Sequence, residues 1–314
     1  MTTHTAPLAE VRGRTAFITG GSSGIGLGLA RALLAAGMNV AFTWRRADHR
    51  DEALRLFGED HAGMLPLELD VTDRAAFARA ADAAEDAFGP LHLFAGNAGV
   101  GIRAGAAEAT YQDWEWGLGV NLGGVINGIV TLLPRMRAHG QGAHLLATSS
   151  TSGLLAGGGI GVYVTAKFAL LGLMESLREE LAEHNVGVSV FCPGFVRSNL
   201  IESEKMRPPS LLNAVEKPST QAPSPQEEAM VRKFMAAGMD PLCAGEQVLA
   251  GIRRNDLYIF THQEFAQPVR ERMEALLAAF PVEEAPRARA MLARRFIPDL
   301  YARERERLLG QRKR

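Results

Sequence analysis

Six short, mostly apolar runs alternate with helix-forming stretches along this chain, and that alternation limits its folds more than any single motif does. The runs cover residues 15–19, 38–43, 65–70, 91–95, 144–149 and 186–192. A strand apolar on both sides must be covered on both sides, and strands separated by helices pair in parallel. The pattern predicts an α/β fold, a parallel sheet between two helical layers. Ligands of such sheets sit beyond the carboxyl ends of the strands. The glycine turn after the first run, Arg45, Asp70, Asn97, Ser150 and the pair Pro193-Gly194 all fall at those ends.

The first end carries Gly20-Gly21-Ser22-Ser23-Gly24-Ile25-Gly26, followed by a helical pattern over residues 27–36. Glycines let a backbone approach a pyrophosphate closely, and the amides at a helix start face the anion. The blander alternative is a tight turn that only packs a helix on a strand. The second run ends at Trp44-Arg45-Arg46. A carboxylate there holds the 2′-hydroxyl of NAD, whereas an arginine suits the 2′-phosphate of NADP. Trp44 occupies the usual acidic position with Arg45 beside it, so NADP(H) is the expected preference and NAD(H) the alternative. Further on, a helix capped near Thr72 or Asp73 runs to Phe88, and a long one carries Trp114 and Trp116 to about Met136. Asn121 interrupts an apolar, glycine-rich part of that helix, where a polar side chain calls for a specific partner.

Tyr163-Val164-Thr165-Ala166-Lys167 opens another long helix, through Ala182. Positions four apart share a helix face, so Tyr163 and Lys167 stand side by side. A free phenol, with a pKa of about 10, is a poor base at neutral pH. A fixed ammonium beside it is expected to lower that value toward the working range. By itself the spacing also fits an unrelated tyrosine and a surface lysine; its place among the other strand ends gives it weight.

The rest of the composition excludes other classes. With 47% hydrophobic residues, 22% charged residues and a net charge of −1, nothing marks the chain for nucleic acid or a membrane surface. Two cysteines make no disulfide framework, which fits a reducing, cytoplasmic setting, and Cys192 reads as a buried strand residue. No run reaches the about 18 apolar residues of a membrane span. The eight histidines show no metal-ligand spacing.

Taken as a set, Thr19-Gly20-x-x-x-Gly24-x-Gly26, Asn97-Ala98-Gly99, Asn121, Ser150, Tyr163-x-x-x-Lys167 and Pro193-Gly194 resemble the short-chain dehydrogenases/reductases across residues 10–200. The resemblance implies a Rossmann-like three-layer α/β/α domain with a doubly wound seven-stranded parallel sheet, in a homodimer or homotetramer. It implies Tyr163 as general acid/base, and Lys167 as the group that lowers its pKa and binds the nicotinamide ribose. Ser150, thirteen residues before Tyr163, is chosen over Ser149 to position the substrate oxygen. Asn121 would hold a water linking Lys167 to solvent. Gly20, Ser22, Ser23, Gly24, Ile25 and Gly26 would line the phosphates. Arg45, Asp70 and Val71 would meet the adenosine, and Asn97, with Ala98 and Gly99, would lie beside its ribose. Val196 and Ser198, after Pro193-Gly194, would face the carboxamide. Gly96 stands where many members have a second asparagine.

The chain also looks similar, around residues 116–136 and 187–200, to a C-terminally extended branch that includes NAD-using Cα-dehydrogenases of lignin-derived aryl ethers. Residues 1–262 are expected to form the catalytic domain and 263–314 a helical extension, packed on that domain or on a neighbouring subunit. Residues 199–240 carry Pro208, Pro209, Pro218, Pro223 and Pro225 and read as a substrate lid, with Met206, Leu211, Leu212, Met230, Phe234 and Met235 as its apolar residues. Residues 257–260 are the expected seventh strand, and residues 268–280 and 285–309 the final helices. The arginine-rich end reads as a solvated helix face.

The expected activity is NADP(H)-preferring interconversion of a secondary alcohol and a ketone, or an aldehyde, with an apolar or aromatic small-molecule substrate. The alternatives are an NAD-dependent benzylic alcohol dehydrogenase, a cofactor-independent dehalogenase-like lyase and a non-catalytic NADP(H)-sensing protein.

Overall fold

A computed structural model describes residues 6–58, 63–213, 236–283 and 285–311, with isolated positions at 226, 229, 230 and 233. The chain divides into two compact units, Met1–Gln263 and Glu264–Arg314.

In the first unit, seven parallel strands are ordered β3-β2-β1-β4-β5-β6-β7. They are β1 (Thr15–Ile18), β2 (Asn39–Trp44), β3 (Met64–Glu68), β4 (Leu91–Gly96), β5 (Ala143–Thr148), β6 (Val186–Cys192) and β7 (Tyr258–Phe260). Side chains alternate across a strand, and the alternation fills two cores at once. Phe17, Leu145 and Val190 enter one core; Ile18, Leu146 and Phe191 enter the other. Pro66 lies in β3, an edge strand, where its missing amide costs no ladder bond.

The first core is closed by α3 (Arg74–Phe88), α4 (Tyr111–Leu118), α5 (Gly124–Ala138) and α6 (Gly161–Glu180). Asp73 caps α3 by accepting from the Ala76 amide at 2.9 Å. Thr110 and Asp113 form a reciprocal capping box at the start of α4. Between α4 and α5 the helix widens into a π-turn, Gly119–Gly123, which contains Asn121. Residues Tyr111–Ala138 together are long and apolar enough to cross a membrane, but half of the apolar window is buried within the protein, as in the core helix of a globular fold.

The second core lies under α1 (Gly24–Ala35) and α7 (Pro241–Arg254), with α2 (Ala47–Phe57) adding the buried Ala53. The sequence reading anticipated neither α2 nor α7. In the first, five of eleven residues are charged, which weakens its apolar periodicity. The second announces itself by an Asp240 N-cap, which accepts from the Leu242 amide at 2.8 Å, and by Pro241 in its first turn. Helices α1 and α7 cross where each has a glycine. A Cβ on Gly28 would lie 2.8 Å from the Leu242 amide nitrogen and closer still to the Pro241 carbonyl. One on Gly245 would lie 2.5 Å from the Gly28 oxygen.

The second unit contains α8 (Ala266–Ala278), α9 (Arg287–Ala293) and α10 (Leu300–Gln311). The single helix expected over 285–309 is two. Pro298 lacks an amide and drives Ile297 out of helical geometry, so the chain breaks between α9 and α10.

Because backbone atoms flank the crossing of α1 and α7, no side-chain rearrangement can admit a methyl group. Gly28→Ala is expected to lose about 1–3 kcal/mol of unfolding free energy in urea titrations. An unchanged midpoint would show that the helices separate easily.

Candidate active site

Three loops meet at the carboxyl ends of β1, β4 and β6. The turn after β1 has Gly20 at φ +65° and Gly24 at φ +49°, a region side chains rarely enter. It is also crowded. A Cβ on Gly20 would lie 2.9 Å from Ala98 Cα, one on Gly24 2.9 Å from Ser198 Cβ, and one on Gly26 2.5 Å from Asn97 Nδ2. The sequence-expected residues Gly20, Gly24, Gly26, Asn97, Ala98 and Ser198 are therefore neighbours.

Thr19 and Asn97 hold these loops together. The Asn97 and Ala98 amides donate to Thr19 Oγ1 at 2.9 and 3.1 Å. Asn97 Nδ2 donates to the Thr19 and Gly20 carbonyls at 3.2 and 3.3 Å, and its Oδ1 accepts from Thr148 Oγ1 at 3.1 Å. This amide thus ties the ends of β1, β4 and β5. Ser22 is buried and Ile25 half-buried beside it. Ser23, the N-cap of α1, has extended backbone and makes no side-chain cap bond, and the helix has no acid in its first turn. A helix start left in this state suits an anion. The glycine cradle fits the pyrophosphate of a dinucleotide, and a Cβ at any of its tight positions would close it.

The adenosine end expected from sequence lies beyond β2 and β3. Arg45 Nη2 is 3.4 Å from Asp70 Oδ2, both side chains about one-third exposed. Asp70 Oδ1 also accepts from the Thr72 amide and hydroxyl at 3.0 and 2.7 Å. Arg46 instead turns to Asp48, with Nε donating at 2.9 Å. Trp44 lies beneath Arg50, whose guanidinium is 4.7 Å from the ring centroid. Val71 is buried, its carbonyl accepting from Asn127 Nδ2 at 2.9 Å.

The end of β5 and the first turn of α6 form the reactive cluster. Buried Lys167 donates through Nζ to the Thr148 carbonyl at 2.8 Å and lies 5.4 Å from the Tyr163 ring centroid. Ser150 Oγ accepts from the Ser152 amide at 3.0 Å and lies close enough to the Tyr163 phenol to favour its ionised form. Ser149 faces elsewhere: its hydroxyl donates to the Lys167 carbonyl at 2.8 Å. The two adjacent serines therefore separate by geometry, Ser150 toward the phenol and Ser149 into the base of α6.

Asn121 spends both arms of its amide on Val100, accepting from its N–H at 2.9 Å and donating to its carbonyl at 3.0 Å. That is the partner its apolar setting called for. The side chain is thereby committed to Val100. A Cβ on Gly99 would lie 2.9 Å from Asn121 Oδ1 and 3.7 Å from Lys167 Nζ, so Gly99 lets the two groups approach. After β6, the Thr151 amide bonds the Pro193 carbonyl at 3.0 Å, the Gly194 amide donates to Thr261 Oγ1 at 3.0 Å, and Val196 is buried.

Electrostatically, the cluster departs from expectation in one respect. Burial raises the Tyr163 phenol above its ordinary value, and the Ser150 hydrogen bond opposes that rise. The expected lowering by Lys167 does not prevail over burial of the phenol, and burial depresses the amine itself to about 8. Beneath it, burial pushes the Cys192 thiol up to about 12, against the pull of Lys167, so the thiol is neutral.

Of the residues named for the lid, Met206 is half-buried, Leu211 packs against the first core, and Leu212 and Met230 are exposed. Phe234, Met235, Pro218, Pro223 and Pro225 lie outside the described residues. Sequence reasoning named Thr19 only as the first residue of the glycine motif and did not single out the Thr148 carbonyl. It also passed over Asp113 and Arg207, whose buried ion pair joins positions 94 residues apart with no local signal. Among the described residues no cluster suits a metal.

A dinucleotide cradle facing a Ser–Tyr–Lys cluster defines a nicotinamide-dependent oxidoreductase. The profile of the short chain dehydrogenase family matches residues 14–208. A Cα-dehydrogenase of Sphingobium sp. (strain NBRC 103272 / SYK-6) is 34% identical over 89% of this chain and 90% of its own. An NADP-dependent (R)-specific alcohol dehydrogenase of Lentilactobacillus kefiri is 26% identical over 76% of this chain and 95% of its own. The crystal structure of a short chain dehydrogenase/reductase from Burkholderia phymatum in complex with NAD superposes with a TM-score of 0.78, at 30% identity over 88% of this chain and 99% of that one. The chain belongs to the short-chain dehydrogenase/reductase family. It is an NAD(P)-dependent oxidoreductase acting on alcohols and ketones.

The two serines give a direct check. Ser150→Ala is expected to lower kcat by about 10²–10³-fold, as when an oxyanion donor is removed. Ser149→Ala should chiefly lower thermal stability. Equal kinetic losses in the two variants would contradict the division.

Proposed function

We propose that this protein is an NADP(H)-preferring reductase and dehydrogenase that interconverts a secondary alcohol and a ketone, or an aldehyde, with an apolar or aromatic substituent. The observation that carries the chemistry is the placement of Ser150, Tyr163 and buried Lys167 together at the end of β5 and the start of α6. Bound dinucleotide supplies or accepts the hydride. Ser150 and Tyr163 hydrogen-bond the substrate oxygen, where negative charge develops, and Tyr163 gives the proton in reduction and takes it in oxidation. Lys167, its amine depressed by burial to about 8 and so mostly protonated at neutral pH, stabilises the phenolate side of that exchange and would hold the nicotinamide ribose. Asn121 acts through Val100 and Gly99, keeping open the space beside Lys167.

Support for NADP(H) comes from Arg45 standing next to Trp44, where an NAD enzyme would carry a carboxylate. The reading is contested by the similarity to a Cα-dehydrogenase, which favours NAD-dependent oxidation of a benzylic alcohol as the second reading. A dehalogenase-like lyase would fill the cradle with bulky side chains, and the tight glycines oppose that. A silent sensor would have no use for a phenol and amine so placed. The assembly proposed is a homodimer or homotetramer.

A carbonyl panel read by the absorbance of the reduced nucleotide, with NADPH and NADH in parallel, tests the proposal. Tyr163→Phe should lose about 10²–10⁴-fold in kcat while still binding nucleotide. Arg45→Ala should lose about 10–100-fold in kcat/KM with NADPH and little with NADH. A wild-type preference for NADH would move the assignment to the second reading.

The pH dependence follows from the signs. Oxidation needs Tyr163 deprotonated, and burial has moved that step upward, so its rate should climb from about pH 7 to about pH 10. Reduction needs the phenol protonated and should hold steady over the same range, declining only above about pH 10. The limb belongs to the Tyr163–Lys167 pair, not to either group alone. The reverse slope in oxidation would remove Tyr163 as the proton carrier.

A further inference from the structure

Beyond the strand ends, residues 200–213 run across the side of the cleft formed by the loop after β4 and by α4. Most of this segment faces water: Glu202, Glu204, Lys205, Pro209 and Ser210 are exposed. Two polar side chains, four positions apart, turn inward. Ser203 Oγ accepts from the Gly101 amide at 2.8 Å and donates to the Leu200 carbonyl at 2.6 Å. Arg207 Nη2 donates to Asp113 Oδ1 at 2.7 Å, with the two side chains only 4% and 8% exposed.

The second attachment is built to be specific. Arg207 Nε also bonds the Leu211 carbonyl at 2.7 Å, and Asn213 Nδ2 reaches Asp113 Oδ1 at 3.2 Å. Burial works against the Asp113 charge, but bonds from the Thr110 amide, Arg207 and Asn213 outweigh it and hold its carboxyl below the ordinary range. Pro208 and Pro209 follow Arg207 and keep its backbone extended. The guanidinium lies 5.1 Å from the centroid of the Trp116 ring. Trp116 Nε1 finds no acceptor among the described residues, so stacking and packing, not a hydrogen bond, fix the ring. The next residue, Gly117, packs so tightly against Val162 that a Cβ could not fit, and Val162 precedes Tyr163.

A buried ion pair adds little net stability over an apolar contact, but it fixes one arrangement and tolerates no partial substitute. Unlike an apolar anchor, both partners recover hydration when the segment lifts. Such an attachment can hold a wall in place and still release it.

We propose that Arg207, clamped by Asp113 and stacked on Trp116, is the positioning residue that holds segment 200–213 closed and so sets how bulky a substrate can be oriented at Tyr163; this rests on the alcohol–carbonyl reading above. Arg207 makes no contact with the reacting atoms. It acts through Trp116 and through the register of the segment. Loss of the clamp therefore weakens the hold on substrates large enough to touch the wall and spares those that reach only Ser150 and Tyr163.

The test compares wild type, Arg207→Met and the double variant Asp113→Asn with Arg207→Gln, which leaves no buried charge unpaired and so protects against simple misfolding. Each is assayed with a one-ring aryl ketone and with a two-ring aryl ether ketone, with nucleotide affinity measured by fluorescence. The expected result is a KM for the larger ketone raised about 10-fold or more at nearly constant kcat, with kcat/KM for the smaller ketone within about threefold of wild type. Nucleotide affinity stays unchanged. Hydrogen exchange at the amides of 200–213 and at Gly101 quickens in both variants, with or without turnover. Equal losses for both ketones, or unaltered exchange, overturn the proposal. If wild type turns over no ketone or alcohol with either nucleotide, the reaction reading fails, and the exchange arm alone then decides whether Arg207 holds the segment.

Discussion

Placing a lysine ammonium out of water at the ends of a parallel sheet is the costliest thing this fold does. The cost of burying such a charge is several kcal/mol unless hydrogen bonds replace its hydration. Here the Thr148 carbonyl accepts from Lys167 at 2.8 Å, and burial has already moved the amine down to about 8. The neighbourhood follows from that one bond. Ser149 bonds the Lys167 carbonyl and fixes the base of α6, Asn121 holds Val100 away from the amine, and Gly99 leaves the space between them. A neutral Cys192 beneath adds no competing charge. The phenol one helical turn earlier inherits its position from the same arrangement.

The cofactor cradle obeys a different constraint, that of backbone meeting backbone. Four loops are brought within contact by residues that have no Cβ or by side chains that bond main chain. Asn97 shows the second device. Sequence resemblance placed it beside a ribose, yet its side chain is saturated by Thr19, Gly20 and Thr148. Asn121 is similar, since its amide is spent on Val100. In both cases a polar residue that looks like a ligand-binding group is a strut that positions one.

The legible parts of this chain were those governed by local rules. Strand runs, the glycine turn, the Asp73 cap and the Tyr163–Lys167 spacing each declare themselves within a few residues, and all seven strands lie within two residues of the expected runs. Ser150 was preferred over Ser149 by its spacing of thirteen residues from Tyr163 under the family resemblance, and the two side chains do make different hydrogen bonds. What stayed hidden was set by distance in sequence. Nothing near Asp113 announces Arg207, and nothing near Thr19 announces Asn97. The break between α9 and α10 was hidden differently: Pro298 was visible, but the helical periodicity around it outweighed one residue. The direction of the Tyr163 shift was missed because a face diagram counts the neighbouring charge and ignores burial, which acts on both partners.

The nucleotide preference shows where local rules conflict. Arg45 lies beside the position that selects between the two dinucleotides, but Asp70 lies 3.4 Å away and each side chain is about one-third exposed. A surface pair of this kind is worth at most about 1 kcal/mol, less than the charge-assisted bonds a phosphate would offer the guanidinium. Asp70 can therefore preset the orientation of Arg45 without holding it against a 2′-phosphate. The same carboxylate would repel that phosphate if Arg45 were absent. On the NADP(H) reading proposed above, Arg45 would set the preference more than Trp44, because the indole only removes a competitor. A relative named for NADP and a neighbour solved with NAD both resemble this chain over most of its length.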